Sequence, residues 1–332
     1  MRKGDGVLNK PMEVAFWWLA AGCVLMAGVD GTVVNGTTGK VQAGVVVSLI
    51  QPGAQGMQTL GSAKTDAEGK FKFDLNPTGP ALLQGIYQGA SYNLVLTPGT
   101  PTTGVALKVY DSTAKAGVTK VSQHMILVEP SATSLDISET ILLENGSATT
   151  YQDPAKGSIQ FYLPPAAADK VRVTIKAPDG MPIERSAEKT GVKNVYKINY
   201  PVKPGESRFD VSYSLPPSDT FSGKIMHGEG LTRFVTPSTV TLEGTGIETL
   251  GQEPQTKAHI YNAGSAEYKV KIAGIGSLRG PAAAPVAEED TGESNDLKEQ
   301  PARIYTRMEW VLGLAFAILG LGGVLLYRRG TA

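Results

Sequence analysis

Apolar residues alternate with polar or small residues along the first part of the chain. They recur at every second position in four sets: Val45, Val47 and Leu49; Phe71, Phe73 and Leu75; Tyr92, Leu94 and Leu96; and Val105, Leu107 and Val109. Because successive side chains of a strand point to opposite faces, each set marks the inward face of one β-strand. Two sheets stacked on these faces bury the sets together. The pattern predicts a β-sandwich over residues 29–112.

The same period of two continues through the next part of the chain. It is clearest at Phe209, Val211, Tyr213 and Leu215, which follow a turn at 203–206. Candidate strands span residues 124–129, 135–143, 158–163, 170–175, 195–200, 207–215, 232–242, 257–261 and 267–275. They predict a second β-sandwich over residues 113–279, immunoglobulin-like or related, although the Cys-Trp-Cys framework of a true immunoglobulin domain is missing. The predicted fold class is therefore all-β, with two tandem sandwich domains.

Continuous apolar runs lie near both ends of the sequence. The first, over residues 14–28, follows a basic start and ends in small residues, which is typical of a secretory signal peptide over residues 1–28. The second, over 310–327, carries no charge and is followed by two arginines. A helix over 308–328 is roughly 30 Å long and matches the hydrocarbon core of a bilayer. It predicts a membrane-spanning helix with a cytoplasmic tail at 329–332.

These two runs predict a single-pass protein of the cytoplasmic (inner) membrane, with the bulk of the chain extracytoplasmic or periplasmic. Alternatives stay open at both runs: a buried core helix at the second, and lipidation of Cys23 or an uncleaved anchor at the first. Residues 280–305 are rich in Pro, Ala and acidic side chains, so they predict a disordered linker. Gly313, Ala317 and Gly320 form a small-residue stripe that could pair two membrane helices in a dimer.

Residues 31–50 (GTVVNGTTGKVQAGVVVSLI) and 65–75 (TDAEGKFKFDL) carry a family resemblance. This stretch resembles the carboxypeptidase regulatory-like domain, also described as a transthyretin-like or prealbumin-like sandwich, although Val41 stands where that family usually has a proline. The resemblance covers residues 29–112 and implies a scaffold related to carbohydrate-binding folds, without peptidase activity. The second region loosely resembles the segment that follows this module in some bacterial envelope proteins.

Composition narrows the possible partners. The chain has 31 basic and 31 acidic side chains, so no net field favours nucleic acid as a partner. Cys23 is the single cysteine and lies in the predicted signal peptide, so the exported part forms no disulfide and no thiolate metal site.

Candidate catalytic residues are sparse. The three histidines, His124, His227 and His259, stand apart in the sequence, and none has a second histidine or a carboxylate at the spacing of HExxH. We interpret them as surface or strand residues, although convergence in space stays open. Asp66 and Glu68 fit a turn better than a calcium loop, which needs oxygen ligands at alternating positions. The sequence predicts no catalytic residue, cofactor or metal site.

The leading hypothesis is a non-enzymatic, membrane-anchored binding or scaffold protein of the cell envelope, whose partner is another envelope protein or a glycan. The alternative is a carbohydrate-binding module. Because the predicted exported part has no tryptophan, such a module would use exposed tyrosines, with Tyr87, Tyr92 and Tyr110 as the candidates, although core packing also explains their positions. A third hypothesis is an envelope hydrolase of unrecognised type in the second region.

Overall fold

A computed structural model of the protein describes residues 28–53, 56–167, 170–178 and 180–278. The chain divides into two units, Met1–Gly280 and Pro281–Ala332, and the described residues belong to the first. The predicted signal peptide up to residue 27, the linker, the membrane-spanning helix and the small-residue stripe lie outside the described residues. Within the described ranges, no helix combines the length and the apolar character needed to span a membrane.

The described chain is all-β, which confirms the predicted fold class at that level. Residues 28–111, here called the first region, contain β1 (Val29–Asn35), β2 (Lys40–Val41), β3 (Val46–Gly53), β4 (Gly56–Lys64), β5 (Lys70–Phe73), β6 (Ala81–Tyr87), β7 (Ala90–Leu96) and β8 (Val105–Val109). These strands form two four-stranded sheets. One has the order β2-β1-β5, with β8 paired to β1 in parallel, and the other has the order β4-β3-β6-β7.

Residues 112–278 form the second region. Its elements are β9 (Ser112–Thr113), β10 (Thr119–Pro130), β11 (Leu135–Asn145), β12 (Thr150–Tyr151), β13 (Ile159–Tyr162), β14 (Arg172–Lys176), β15 (Ile183–Arg185), β16 (Glu188–Lys189), β17 (Val195–Ile198), β18 (Gly205–Leu215), β19 (Thr220–Lys224), β20 (Leu231–Thr236), β21 (Thr241–Thr245), β22 (Ile247–Gln252), β23 (His259–Ala263), β24 (Glu267–Ala273) and a 3₁₀ turn at Pro165–Ala167. An eight-stranded sheet of order β15-β14-β18-β11-β10-β20-β23-β22 is accompanied by the three-stranded sheets β13-β17-β16 and β19-β24-β21.

Each region buries its own hydrophobic cluster. In the first region, the cluster draws on both sheets, with Leu49 and Leu83 from one and Val33 from the other. In the second region, β11 alternates strictly between buried and half-buried positions, and its inward residues meet Phe161 and Val270 of the two smaller sheets. Fully burying such a side chain stabilises the fold by about 1.5–3 kcal/mol. Burial of the alternating positions is therefore what makes both regions β-sandwich-like.

Most predicted strands are present, and the differences have local causes. The predicted strand 232–242 is broken, because Pro237 has no N–H for the ladder and starts a turn in which Val240 N–H donates to its carbonyl (2.9 Å). Leu75 was predicted to face the core but lies beyond the end of β5 and is 50% exposed. Gly69 adopts the left-handed conformation, with φ +72°, in the turn before β5.

Candidate functional site

A seam of hydrogen bonds joins the two regions. The strands β9 and β12 pair in parallel beside it, and Thr150 N–H donates to the Asp111 carbonyl (2.9 Å). The Asp111 carboxylate accepts from Asn35 Nδ2 (2.8 Å) and from the Tyr87 hydroxyl (3.0 Å). The Asp111 N–H donates to Thr37 Oγ1, and that hydroxyl donates to the Ala148 carbonyl. The bonds to Thr150 and Ala148 join the first region to β12 and the loop before it, and the others hold Asp111 in place within the first region.

The three candidate tyrosines meet at this seam. Tyr92 is 3% exposed, and its hydroxyl donates to the Tyr110 carbonyl (2.9 Å) and contacts Thr150 Oγ1 (2.7 Å). Since a phenol has one proton, the Thr150 hydroxyl must be the donor in the second bond. The Tyr92 and Tyr110 rings lie 6.1 Å apart, and Tyr87 and Tyr110 are half-buried. Burial raises the pKa of Tyr87, and the adjacent Asp111 raises it further. Tyr92 therefore packs inside the seam instead of presenting an open ring face.

A groove of about 290 Å³ lies beside the seam, and both regions line it. We call it the inter-region groove. Its first wall is the outer face of β6 and β7, from which it takes Leu82, Gln84, Ser91, Asn93 and Val95. Its second wall consists of Met181, Ile183, Arg185, Tyr200 and Lys203. Polar amides and hydroxyls thus stand beside apolar side chains, two of which, Val95 and Met181, are 53% and 71% exposed.

The inter-region groove is positively charged. Arg185 and Lys203 line it, and none of its described lining residues is acidic. Burial lowers the pKa of Lys203, and no carboxylate among the described residues offsets that burial. The ammonium instead lies over the Tyr92 ring, 5.3 Å from its centroid, a favourable cation–π contact. Burial raises the pKa of Tyr200, whereas the positive charge of Arg185 lowers it.

Two of the three histidines come together in the second region. His124, on β10, is 4% exposed, and its Nδ1 lies 3.0 Å from Nε2 of His227. Its Nε2 lies 3.0 Å from Oε2 of Glu139, a carboxylate that also accepts from the Tyr213 hydroxyl (2.8 Å). Glu139 is 5% exposed on the facing strand β11. The result is a buried Glu139–His124–His227 chain, which we call the histidine chain.

The hydrogen bonds of His227 show which of its ring nitrogens carries a proton. Nδ1 of His227 lies 2.6 Å from the Glu229 carbonyl, which can accept but not donate, so this nitrogen carries a proton. In a neutral His227 ring, Nε2 is then the acceptor, and His124 Nδ1 must be the donor. Every contact is satisfied when one proton lies between His124 Nε2 and the Glu139 carboxyl group, on either side of that hydrogen bond. Burial, followed by the charge of His124, lowers the pKa of His227, which agrees with a neutral ring.

The histidine chain ends at a second, smaller groove without an open reactive nitrogen. This groove, of about 280 Å³, is lined by His227 together with Lys120, Lys156 and Ser158. Both ring nitrogens of His227 are engaged, and the Ser158 hydroxyl donates to the Tyr200 carbonyl. As arranged, the chain offers no free base to a substrate.

His259 lies apart from the histidine chain. Its Nδ1 donates to the Val240 carbonyl (2.9 Å), and its Nε2 accepts from Gln252 (2.6 Å). Across the residues described above, no group of three histidine, cysteine, aspartate or glutamate side chains has the arrangement of a metal site. Asp66 serves its turn, accepting from the Lys70 N–H (2.7 Å). Residues 35–37, Asn-Gly-Thr, have the pattern of a glycosylation sequon. Asn35 is 2% exposed and its side-chain amide is hydrogen-bonded, so this sequon lies within the seam.

We expect His227 to make the folded state less stable in acid. Because its pKa lies below the usual value in the folded state, the unfolded chain binds this proton first as the pH falls through about 6.5. Stability is then lost, with a slope below about 1.4 kcal/mol per pH unit because His227 is only half-buried. Urea unfolding of the wild type and of His227→Gln between pH 5 and 8 measures this. The difference in the free energy of unfolding between the two proteins should shrink as the pH falls. A difference that stays constant contradicts the lowered pKa of His227.

Sequence reasoning missed the histidine chain and most of the inter-region groove. One signal for the chain was present: Glu139 stands at an inward position of β11, among Leu135, Ile137, Ile141 and Leu143. A carboxylate at such a position needs a buried partner. No comparable signal marks the groove, because Arg185 and Lys203 lie in separate loops or short strands that the fold brings beside β7.

No protein-family model matches the chain, and no curated protein matches it. Among solved structures, it is similar to an M1 zinc metallopeptidase from Deinococcus radiodurans, with 11% identity, 46% of this chain and 42% of that chain covered, and a TM-score of 0.25. A mutant of that enzyme bound to a Tyr-Ser-Ala substrate gives 12% identity, 48% and 44% coverage, and a TM-score of 0.26. The chain spans less than half the length of these structures. The similarity is too slight to assign a shared fold or an activity.

Proposed function

We propose that this protein is a non-enzymatic binding and scaffold protein, anchored to the inner membrane by its C-terminal helix and exposed on the extracytoplasmic side. In this proposal, residues 29–112 and 113–279 are two tandem β-sandwich modules, the first of the carboxypeptidase regulatory-like type. The linker at 280–305 holds the modules away from the membrane surface. The two modules act as one rigid body and bind their partner together.

One observation supports the binding role above all: the inter-region groove takes its lining from both regions. A groove of this kind exists only while the seam holds the two regions together. The hydrogen bonds of Asp111 therefore maintain the groove as well as the stability of the fold. Ligand sites are commonly concave, mixed in polarity and situated where two domains meet. The engaged nitrogens of His227 favour this binding role over the hydrolase hypothesis.

The anchored topology is tested in intact cells. The full chain is expressed in a bacterial host with an epitope tag at its C-terminus, and spheroplasts are treated with external protease. We expect the protein to sediment with membranes, and the protease to remove residues 29–279 while the tag survives. Recovery in the soluble fraction without detergent, or protection of residues 29–279, overturns the proposal. A known cytoplasmic protein, which must stay intact, controls for leakage.

A further inference from the structure

We propose that the inter-region groove binds an acidic oligosaccharide, one that carries a carboxylate on its sugar ring, between the β6–β7 face and Lys203. This inference rests on the proposed binding function and names the ligand class. It assigns the recognition to residues other than the three candidate tyrosines.

The charge of the ligand follows from the two cations. Lys203 is partly buried, yet its ammonium group contacts neither a carboxylate nor another hydrogen-bond acceptor among the described residues. Removing a charge from water without pairing it is costly. Arg185, on the edge strand β15, likewise forms no ion pair with a described side chain. Arg185 is exposed, so an anion bound between the two side chains pairs with both but offsets a cost of burial only at Lys203.

The remaining lining favours a sugar over a peptide or a phosphate. The floor of the groove is a sheet face, where β6 pairs on both sides with β3 and β7, so its backbone groups are already used. A peptide laid across that face has no ladder to join. Recognition on that face must therefore come from side chains, and amides and hydroxyls are those that match ring hydroxyl groups. The strands β7 and β15 each end a sheet of the described chain and keep a free edge beside the groove, so the test below includes a peptide.

The polar lining side chains retain free hydrogen-bonding capacity. Gln84 Nε2 donates to Asn93 Oδ1 (3.2 Å), which leaves the Gln84 carbonyl and the Asn93 NH₂ available. The Tyr200 hydroxyl and the Ser91 hydroxyl have no hydrogen-bond partner among the described residues. Leu82, Val95 and Met181 supply apolar surface for the C–H faces of a ring. At about 290 Å³, the groove is at the lower end of small-molecule sites, so it takes the end of a chain.

Titration calorimetry on the purified full-length protein tests the assignment. The probe is a trisaccharide of galacturonic acid at low ionic strength, compared with the neutral galactose trisaccharide, a short polyglutamate peptide and inorganic phosphate. We expect the uronate to bind at least tenfold more tightly than each of the other three. We also expect its affinity to fall as salt is added, because the cations are partly exposed.

Three variants locate the site. Lys203→Met and Arg185→Gln each remove one cation, and Asn93→Asp adds a carboxylate at an exposed position. Each should weaken uronate binding at least tenfold without lowering the thermal unfolding midpoint. Lys108→Met, an exposed cation on β8 outside the groove, is the matched control and should bind as the wild type does.

Absence of binding, equal binding of polyglutamate or phosphate, or full affinity in all three variants overturns the inference. These outcomes are separate from a failure of the proposed function. Uronate binding by a protein that fractionates as soluble leaves the groove assignment intact and removes the anchor. Membrane anchoring without uronate binding overturns the groove assignment and leaves the proposed anchor intact.

Discussion

Replacing Glu139 with alanine should destabilise the second region by about 2–5 kcal/mol, because Glu139 is the buried hydrogen-bond partner of His124 and each buried polar group left unpaired costs about 1–3 kcal/mol. The side chains of both residues are 5% exposed, so water cannot take over the lost interaction. Tyr213 loses the acceptor of its hydroxyl in the same step. Small domains are stable by only about 5–15 kcal/mol, so the loss is a large share of the total. Urea unfolding of the full-length protein, followed by circular dichroism, measures it.

Two control variants separate the loss of the polar partner from the loss of packed side-chain volume. Glu139→Gln keeps the shape and an acceptor, and should cost less than Glu139→Ala. The double replacement of Glu139 and His124 by leucine removes both polar partners, and should be more stable than Glu139→Ala, since replacing both partners of a buried hydrogen bond by apolar residues is often nearly neutral. A double-mutant cycle gives the coupling energy. A Glu139→Ala variant whose urea midpoint equals that of the wild type contradicts a stabilising role for the buried Glu139–His124 contact.

The sequence predicted the strands well because their cause is local. Alternation at Phe209, Val211 and Tyr213 follows from the geometry of a strand and needs no knowledge of its partners. Strands without this alternation were not predicted. The edge strand β4, with the sequence GMQTLGSAK, has no fully buried position, so nothing in its pattern separates it from a loop. The break at Pro237 was readable, since proline cannot continue a ladder.

The sites were less predictable because their members are distant in the chain. His124 and Glu139 are joined by the register of β10 and β11, in which His124 lies opposite Ile141 and Glu139 stands two positions along on the same face. His227 is 103 residues from His124. The inward Glu139 indicated that a partner exists without indicating which residue it is. The candidate tyrosines lie close together, but Tyr92 is buried and not exposed, and the neighbouring Asp111 carries no sequence signal.

Replacing Tyr92 with alanine should cost about 3–5 kcal/mol and separate the unfolding of the two regions. The change removes a buried ring that packs against Tyr110 and supports the Lys203 ammonium, and such losses are typical of aromatic-to-alanine replacements. It also leaves the hydroxyl of Thr150, a fully buried residue, without a partner on the first region. Scanning calorimetry of the full-length protein should show one cooperative transition for the wild type and two for the variant.

The matched variants assign this effect to the seam. Tyr92→Phe keeps the ring and loses two hydrogen bonds, so it should cost about 1–3 kcal/mol, chiefly from the unsatisfied Thr150 hydroxyl and Tyr110 carbonyl. Tyr110→Phe removes a hydroxyl that has no hydrogen bond among the described residues, and should change stability by less than about 0.5 kcal/mol. Because Lys203 depends on the same ring, Tyr92→Ala should also abolish uronate binding while Tyr110→Phe retains it. A single transition at the wild-type midpoint for Tyr92→Ala means that the two regions are held together by other contacts.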